Sequence, residues 1–378
     1  MQNVCARQES VKLSENGNGA MHHPGFRSEL VYGYNMTKRK IRNMEEFAAV
    51  SGISRPTVSK YFNDPDSVRQ STRSKIEAAL KQHEYRPNIF AINQNRKLTK
   101  NVGIVVPYLA DPFFAEIARK IEQRCIACGY RPTLYSAHGQ PELEIEILDS
   151  LRSLKPAGVL LAPLGRASDR AAVAKFCEDV PTVLFDSNLP GLGLAFVGSD
   201  NPQFSMLIVD YLCRTGAPPC FFEMKKPSNP NANKRREGYV AAMERLGHEP
   251  QIVQASGQGW DFEEIGRREG RKALETKQFA TNTVLCSNDR LAIGFLTACY
   301  EMRLRVGRDE DSAIRVAGQD DHPFARFTCP PLTTIAQDYE AISRHAVDLL
   351  FRAVEDERSE STRETRLFEG QLIMRDSA

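Results

Sequence analysis

Two groups of residues in this 378-residue chain carry chemistry. The first is a set of polar and aromatic side chains placed just after short apolar segments. These are Asp111-Pro-Phe113-Phe114, Asp186-Ser187, Asp200-Asn201, Asn288-Asp289 and Gly318-Gln-Asp320-Asp321. Carboxylates and amides make hydrogen bonds in pairs, which suits the paired hydroxyls of a polyol. The C–H faces of such a molecule pack on aromatic rings, a surface that Phe113, Phe114 and the only tryptophan, Trp260, can supply. The pattern points to a cavity for a small polar ligand. A strand-end Asp also has a plainer use, capping the helix that follows, and Asp200 and Asp289 suit it.

The second group is basic and lies near the N-terminus. Arg55, Thr57, Ser59 and Lys60 share the exposed face of a short predicted helix. Arg55 has the fork needed for bidentate bonding to guanine, whereas Ser59 and Lys60 suit phosphates or nearby base edges. With Ser54, Pro56 and Asn63 they form a candidate DNA-binding surface.

Other motifs carry less. Cys125-x-x-Cys128 has no second pair and sits late in a predicted helix, where no helix N-terminus stabilises a thiolate, so it reads as packing. Gly191-Leu-Gly193 lacks the third glycine of a dinucleotide loop. We find no phosphate-cradling loop, nucleophile triad or carboxylate pair. The chain is expected to be a binding protein without cofactor or metal, not an enzyme.

The elements that must hold these residues can be read from caps and periodicity. Asn43 with Glu46 three residues later makes a capping box, followed by Phe47, Ala48 and Val50 as an inner face. Gly52 supplies a turn with φ > 0, and Ser54 caps a second helix that tolerates Pro56 in its first turn and closes at Asn63. A third helix is expected from about Thr72 to Glu84, burying Ile76, Ala79 and Leu80. Helix, glycine turn and capped short helix make a helix-turn-helix. Charge agrees. The formal net charge of +2 conceals fourteen Lys and Arg against six Asp and Glu between residues 37 and 100, a local +8 offset by −6 elsewhere.

From Asn101 onward, short apolar strands alternate with amphipathic helices: 102–107, 132–135, 158–162, 182–186, 220–224, 250–253, 283–286 and 314–317. Such a series implies an α/β fold with parallel sheets covered on both faces, and ligands there sit beyond the carboxyl ends of strands. The expected organisation is a disordered tail over 1–36, a helix-turn-helix domain over 37–86, a hinge over 87–100 and a ligand-binding and dimerisation module over 101–378. No apolar run approaches the roughly 18 residues of a membrane span. No signal-peptide block opens the chain, and nine scattered cysteines do not suggest a disulfide framework, so a cytoplasmic location is expected.

The run from Asn43 to Asn63 and the later Tyr85-Arg-Pro-Asn88 closely resemble lac-repressor/galactose-repressor type regulators. The resemblance covers nearly the whole chain. It implies a type I periplasmic-binding-protein-like module of two lobes, the first about 101–199 plus a return near 330–345, the second about 200–329 plus the C-terminal segment. It implies a hinge helix that enters the minor groove when two subunits meet on the operator, with Asn88 and Ala91 matching the pattern. The family's wedging leucine is replaced by Gln94, whose amide cannot unstack a base step by apolar insertion. Lys234-Arg235-Arg236-Glu237-Gly238-Tyr239 resembles the family's Arg-x-x-Gly-aromatic element, which places Arg235 at the ligand beside Asp111, Phe113, Phe114, Asp186, Asn288, Asp289 and Asp320. Trp260 lies where sugar-responsive members often place an aromatic. The implied partners are double-stranded operator DNA, a second or further copies of the chain, and a small effector. A sugar is the first choice, with a nucleobase or small organic acid left open. The alternative is a solute-binding protein of the same fold without a regulatory role.

Overall fold

Residues 41–85, 99–228, 230–355 and 363–378 are described by a computed structural model. The expected tail over 1–36 and the hinge residues Asn88, Ala91 and Gln94 lie outside the described residues. Two units are separated, residues 1–92 and 93–378.

In the first unit, α1 (Met44–Ser51), α2 (Arg55–Asn63) and α3 (Gln70–His83) enclose Phe47, Val58, Ile76, Ala79 and Tyr85. The caps explain the boundaries. The Glu46 N–H donates to Asn43 Oδ1 at 2.8 Å, and the Glu46 carboxylate reaches back to the Arg42 N–H at 2.9 Å, one residue beyond the expected partner. Gly52 closes α1 at φ 67°, and Ser54 caps α2 by accepting from the Thr57 N–H. Val50, expected on the inner face, is 54% exposed in the last turn of α1. The third helix begins two residues earlier than expected, and Leu80 is only half-buried.

The second unit holds two layered lobes. Strands β1 (Asn101–Val106), β2 (Arg131–Ser136), β3 (Gly158–Leu161), β4 (Thr182–Phe185), β5 (Ala195–Ser199) and a late strand, β11 (Glu364–Phe368), form one parallel sheet in the order β11-β5-β4-β3-β1-β2. Helices α4 (Pro112–Ala127) and α11 (Tyr339–Glu355) cover one face; α5 (Pro141–Leu154) and α6 (Arg170–Asp179) cover the other. Cys125 sits in this core, where burial pushes its thiol up to about 12. In the second lobe, β6 (Cys220–Met224), β7 (Ile252–Ala255), β8 (Thr283–Cys286) and β9 (Arg315–Ala317) pair in the order β7-β6-β8-β9. Its covering helices are α7 (Asn201–Thr215) and α8 (Ala232–Arg245) on one side and α9 (Phe262–Glu275) and α10 (Asp289–Glu301) on the other. The pair β10 (Thr334–Ala336) and β12 (Gln371–Ile373) is antiparallel and joins this sheet through bridges at Ala317 and Asp320.

The lobe boundaries differ from expectation. Helix α11 and strand β11 belong to the first lobe, because Ile342, Ala346, Val347 and Leu350 fill the face of its sheet and β11 extends its edge beside β5. Residues 333–336 stay with the second lobe through pairing to β12 and bridging to β9. The chain therefore crosses between lobes near residues 200, 338 and 369. Around the first two crossings, the Ser199 hydroxyl donates to Gln337 Oε1 at 2.6 Å.

One helix contact governs where the second lobe's site residues stand. A Cβ added at Gly294 of α10 would lie 1.9 Å from the Glu263 carbonyl oxygen, and one at Gly266 of α9 would lie 2.3 Å from the Leu291 carbonyl oxygen. These two glycines let α9 and α10 touch backbone to backbone. That contact fixes the first turns of both helices, which carry Phe262, Glu263 and Arg290.

Candidate functional site

The expected DNA-binding residues of the first unit lie on and around α2. Arg55 and Lys60 are exposed, Thr57 and Ser59 half-buried, and Ser54 and Asn63 mark the two ends. Pro56 stands in the first turn, where a missing N–H costs nothing. Arg55 is held by Glu45 of α1 at 2.7 Å, with both side chains more than 60% exposed. An ion pair that wet is weak, so it positions the guanidinium without withholding it from a stronger acceptor.

In the second unit, a cavity lies where strand ends of the two lobes face each other. Seven of the nine expected residues line it: Asp111, Phe113, Phe114, Asp186, Arg235, Asn288 and Asp320. Five more line it that the sequence did not single out: Phe262, Arg290, His322, Gln337 and Tyr339. Each follows a strand or crossing that was recognised, and Arg290 and His322 lie within two residues of named ones. The space measures about 460 Å³ including its open mouth.

Arg235 is the hub. Its Nε donates to Asn201 Oδ1 at 3.0 Å, one terminal nitrogen to the Ser287 carbonyl at 2.9 Å, and the other to Asp320 Oδ1 at 2.5 Å. Burial alone would lower the guanidinium pKa, but the charge and hydrogen bond of Asp320 carry it above its ordinary value. Gln337 donates to the same Asp320 oxygen at 2.7 Å, and the Tyr339 hydroxyl donates to the Asp320 carbonyl at 3.2 Å. Asp111 has two tasks: Oδ1 caps α4 by accepting from the Phe113 N–H, and Oδ2 accepts from Arg290 across the cleft at 3.1 Å. Arg290 is itself held by Glu263 at 2.7 Å and lies over the Phe262 ring. Asn288 likewise caps α10 through the Leu291 N–H while facing the cavity.

Asp289 and Trp260 do not line the cavity. Asp289 is fully buried, accepting from the Thr334 hydroxyl at 2.6 Å and the His322 N–H at 2.7 Å. It ties the loop after β9 to β10, because a helix's first residues point in different directions and here Asn288 and Arg290 turn inward. Burial, with Asp320 nearby, raises its carboxyl to about 8. Trp260 stacks on Tyr108 of the first lobe at 5.0 Å between centroids and joins the cores of both lobes. It is an interlobe contact, and Phe113, Phe114, Phe262 and Tyr339 supply the aromatic walls instead. Asp200 only caps α7.

Asp186 carries a pH dependence. Its backbone is left-handed at φ 59°, and its Oδ1 accepts from Asn231 of the second lobe at 2.9 Å. Burial raises its pKa from 3.8 to about 7, against the opposing pull of Lys234 and Arg235. Below pH 4 both folded and unfolded chains keep this proton. Between pH 4 and 7 the unfolded chain has lost it while the folded one retains it, so the stability contribution falls as pH rises through that window. Asp186→Asn keeps an acceptor and tolerates the left-handed backbone. It is expected to reduce the slope of stability against pH by up to one proton, about 1.4 kcal/mol per pH unit, with Asp289 still contributing. Calorimetry from pH 4.5 to 8 checks this, and an unchanged slope in the variant would refute the assignment.

Comparison with known proteins places both units. Residues 43–88 match the model of bacterial regulatory proteins of the lacI family, and residues 209–378 match a periplasmic binding protein-like domain. The chain is 31% identical over 338 residues to the HTH-type transcriptional repressor CytR of Escherichia coli K12, covering 88% of this chain and 95% of that one. It is 29% identical over 313 residues to the ribose operon repressor of the same strain, covering 82% and 92%. Its fold matches a lac repressor dimer bound to operator and the anti-inducer ONPF, at a TM-score of 0.76, 24% identity and coverage of 89% and 99%.

Proposed function

The chain belongs to the lacI family of bacterial regulatory proteins, and from that premise we propose that it is a sugar-responsive transcriptional repressor acting as a homodimer in the cytoplasm. The observation that carries this reading is the coexistence of a capped recognition helix with a cavity built from both lobes. A solute-binding protein without a regulatory role leaves the +8 head unexplained. The head meets phosphates through its charge, and α2 enters the major groove, with Arg55 paired to a guanine and Ser59 and Lys60 beside it.

The effector sits between Phe113, Phe114 and Phe262, with its hydroxyls on Asp111, Asp186, Asn288, Arg235 and Asp320. Both guanidiniums of the wall already face a carboxylate, Arg235 to Asp320 and Arg290 to Asp111, which favours a neutral polyol over a phosphorylated one. The two lobes are bridged by Arg290 to Asp111 and by Asn231 to Asp186. A ligand that inserts between these pairs shifts the population of lobe arrangements, and operator affinity shifts with it.

Fluorescence anisotropy of the full chain on DNA from upstream of its own gene, with and without D-ribose, tests the reading. Sequence-specific binding that responds to the sugar is expected. Arg55→Ala should weaken operator binding about ten- to a hundredfold and leave sugar affinity unchanged. Binding that depends only on salt and not on sequence would sink the proposal.

A further inference from the structure

One polar atom in the cavity wall is unaccounted for. His322 is 5% exposed and lines the cavity, and its Nε2 has no hydrogen-bond partner among the described residues. The rest of the residue is fixed. Its backbone N–H donates to Asp289 Oδ2 at 2.7 Å, and its Nδ1 accepts from the Phe324 N–H at 3.0 Å. With Nδ1 occupied as an acceptor, the proton of the neutral ring sits on Nε2. Burial holds the ring's pKa below its ordinary value, against the pull of Asp320, Glu263 and Asp321, so the ring is neutral at pH 7. A positioned N–H donor is thus left unpaired at a buried position in the cavity wall, the situation expected of a donor whose acceptor arrives with the ligand.

We propose that His322 contacts the effector directly, its Nε2–H donating to one oxygen of a neutral polyol in the interlobe cavity. This rests on the carbohydrate reading above and adds a residue and a polarity to it. The effector presents an acceptor toward the loop after β9, opposite the carboxyl groups of Asp111 and Asp186 on the first lobe, whose oxygens accept hydrogen bonds from its hydroxyls.

Titration calorimetry on the full chain tests this with D-ribose and its 2-, 3- and 5-deoxy analogues. His322→Asn keeps an acceptor for the Phe324 N–H and removes the Nε2 donor. It should weaken D-ribose binding roughly five- to a hundredfold while the ligand-free melting temperature holds. His322→Gln extends an amide to the Nε2 position and should recover part of the loss. Against one deoxy analogue the effect of His322→Asn should vanish, because the oxygen it contacts is gone. Binding by His322→Asn within twofold of the wild type would overturn the proposal, and so would an equal loss against every analogue. If the wild-type chain binds none of these sugars, the carbohydrate reading itself falls and takes this inference with it.

Discussion

Arg235→Ala is expected to abolish effector binding and to destabilise the second unit by about 3–5 kcal/mol. The size follows from what the side chain leaves behind. Asp320 loses its countercharge, and the Asn201 amide oxygen and the Ser287 and Gln319 carbonyls lose donors at buried positions. Truncating one member of a buried pair costs far more than the pair contributes, because the survivor stays desolvated. For a unit of this size the melting temperature should fall on the order of 10 °C. Arg235→Lys should restore part of the stability, since an ammonium can reach Asp320. It should not restore binding, because one point charge cannot span four acceptors set around a planar fork. Calorimetric melting together with D-ribose titration separates the two effects. A variant that melts within two degrees of wild type, or binds the sugar unchanged, would show that Arg235 is not the hub.

Much of this arrangement was legible because its signals are local. Asn43, Gly52 and Ser54 announce helix ends through the backbone groups they satisfy, and each does so within three residues. Strands such as 102–106 and 283–286 are buried on both faces and read as continuous apolar runs. The unread parts are decided at a distance. Strand β11 is mostly exposed and polar, so nothing in Glu364-Thr-Arg-Leu-Phe368 distinguishes it from a loop until β5 offers an edge. The assignment of α11 to the first lobe depends on which sheet face is vacant. Gly266 and Gly294 look like weak helix residues in sequence, and only the backbone contact between α9 and α10 gives them a reason. Likewise, Asn288 and Asp289 are equally plausible ligand groups on paper, and nothing in the sequence singles out Arg290 beside them. Their roles separate only when the helix start orients the outer two inward and buries the middle one.

Phe47→Ala should unfold the head and leave the sensor untouched. Phe47 is fully buried, stacks on Tyr85 at 4.7 Å between centroids and packs near Phe62. Removing such a ring from a core typically costs about 3–5 kcal/mol. The described head, residues 41–85, has a core of Phe47, Val58, Ile76, Ala79 and Tyr85. At about 0.05–0.15 kcal/mol per residue, the whole stability of so small a head is about 2–7 kcal/mol, comparable to the loss. With α1 and α3 no longer held together, α2 has no platform. Specific operator affinity should then drop by at least about a hundredfold, toward non-specific binding. The second unit has its own cores, so its melting transition and its D-ribose affinity should match wild type. Val50→Ala in the same helix serves as the internal control, because that side chain is 54% exposed and should cost less than about 0.5 kcal/mol. Anisotropy on operator DNA and calorimetry on the sugar read the two units separately. Loss of sugar affinity in step with operator affinity would refute the independence of head and sensor, and undiminished operator binding would refute the core assigned to the head.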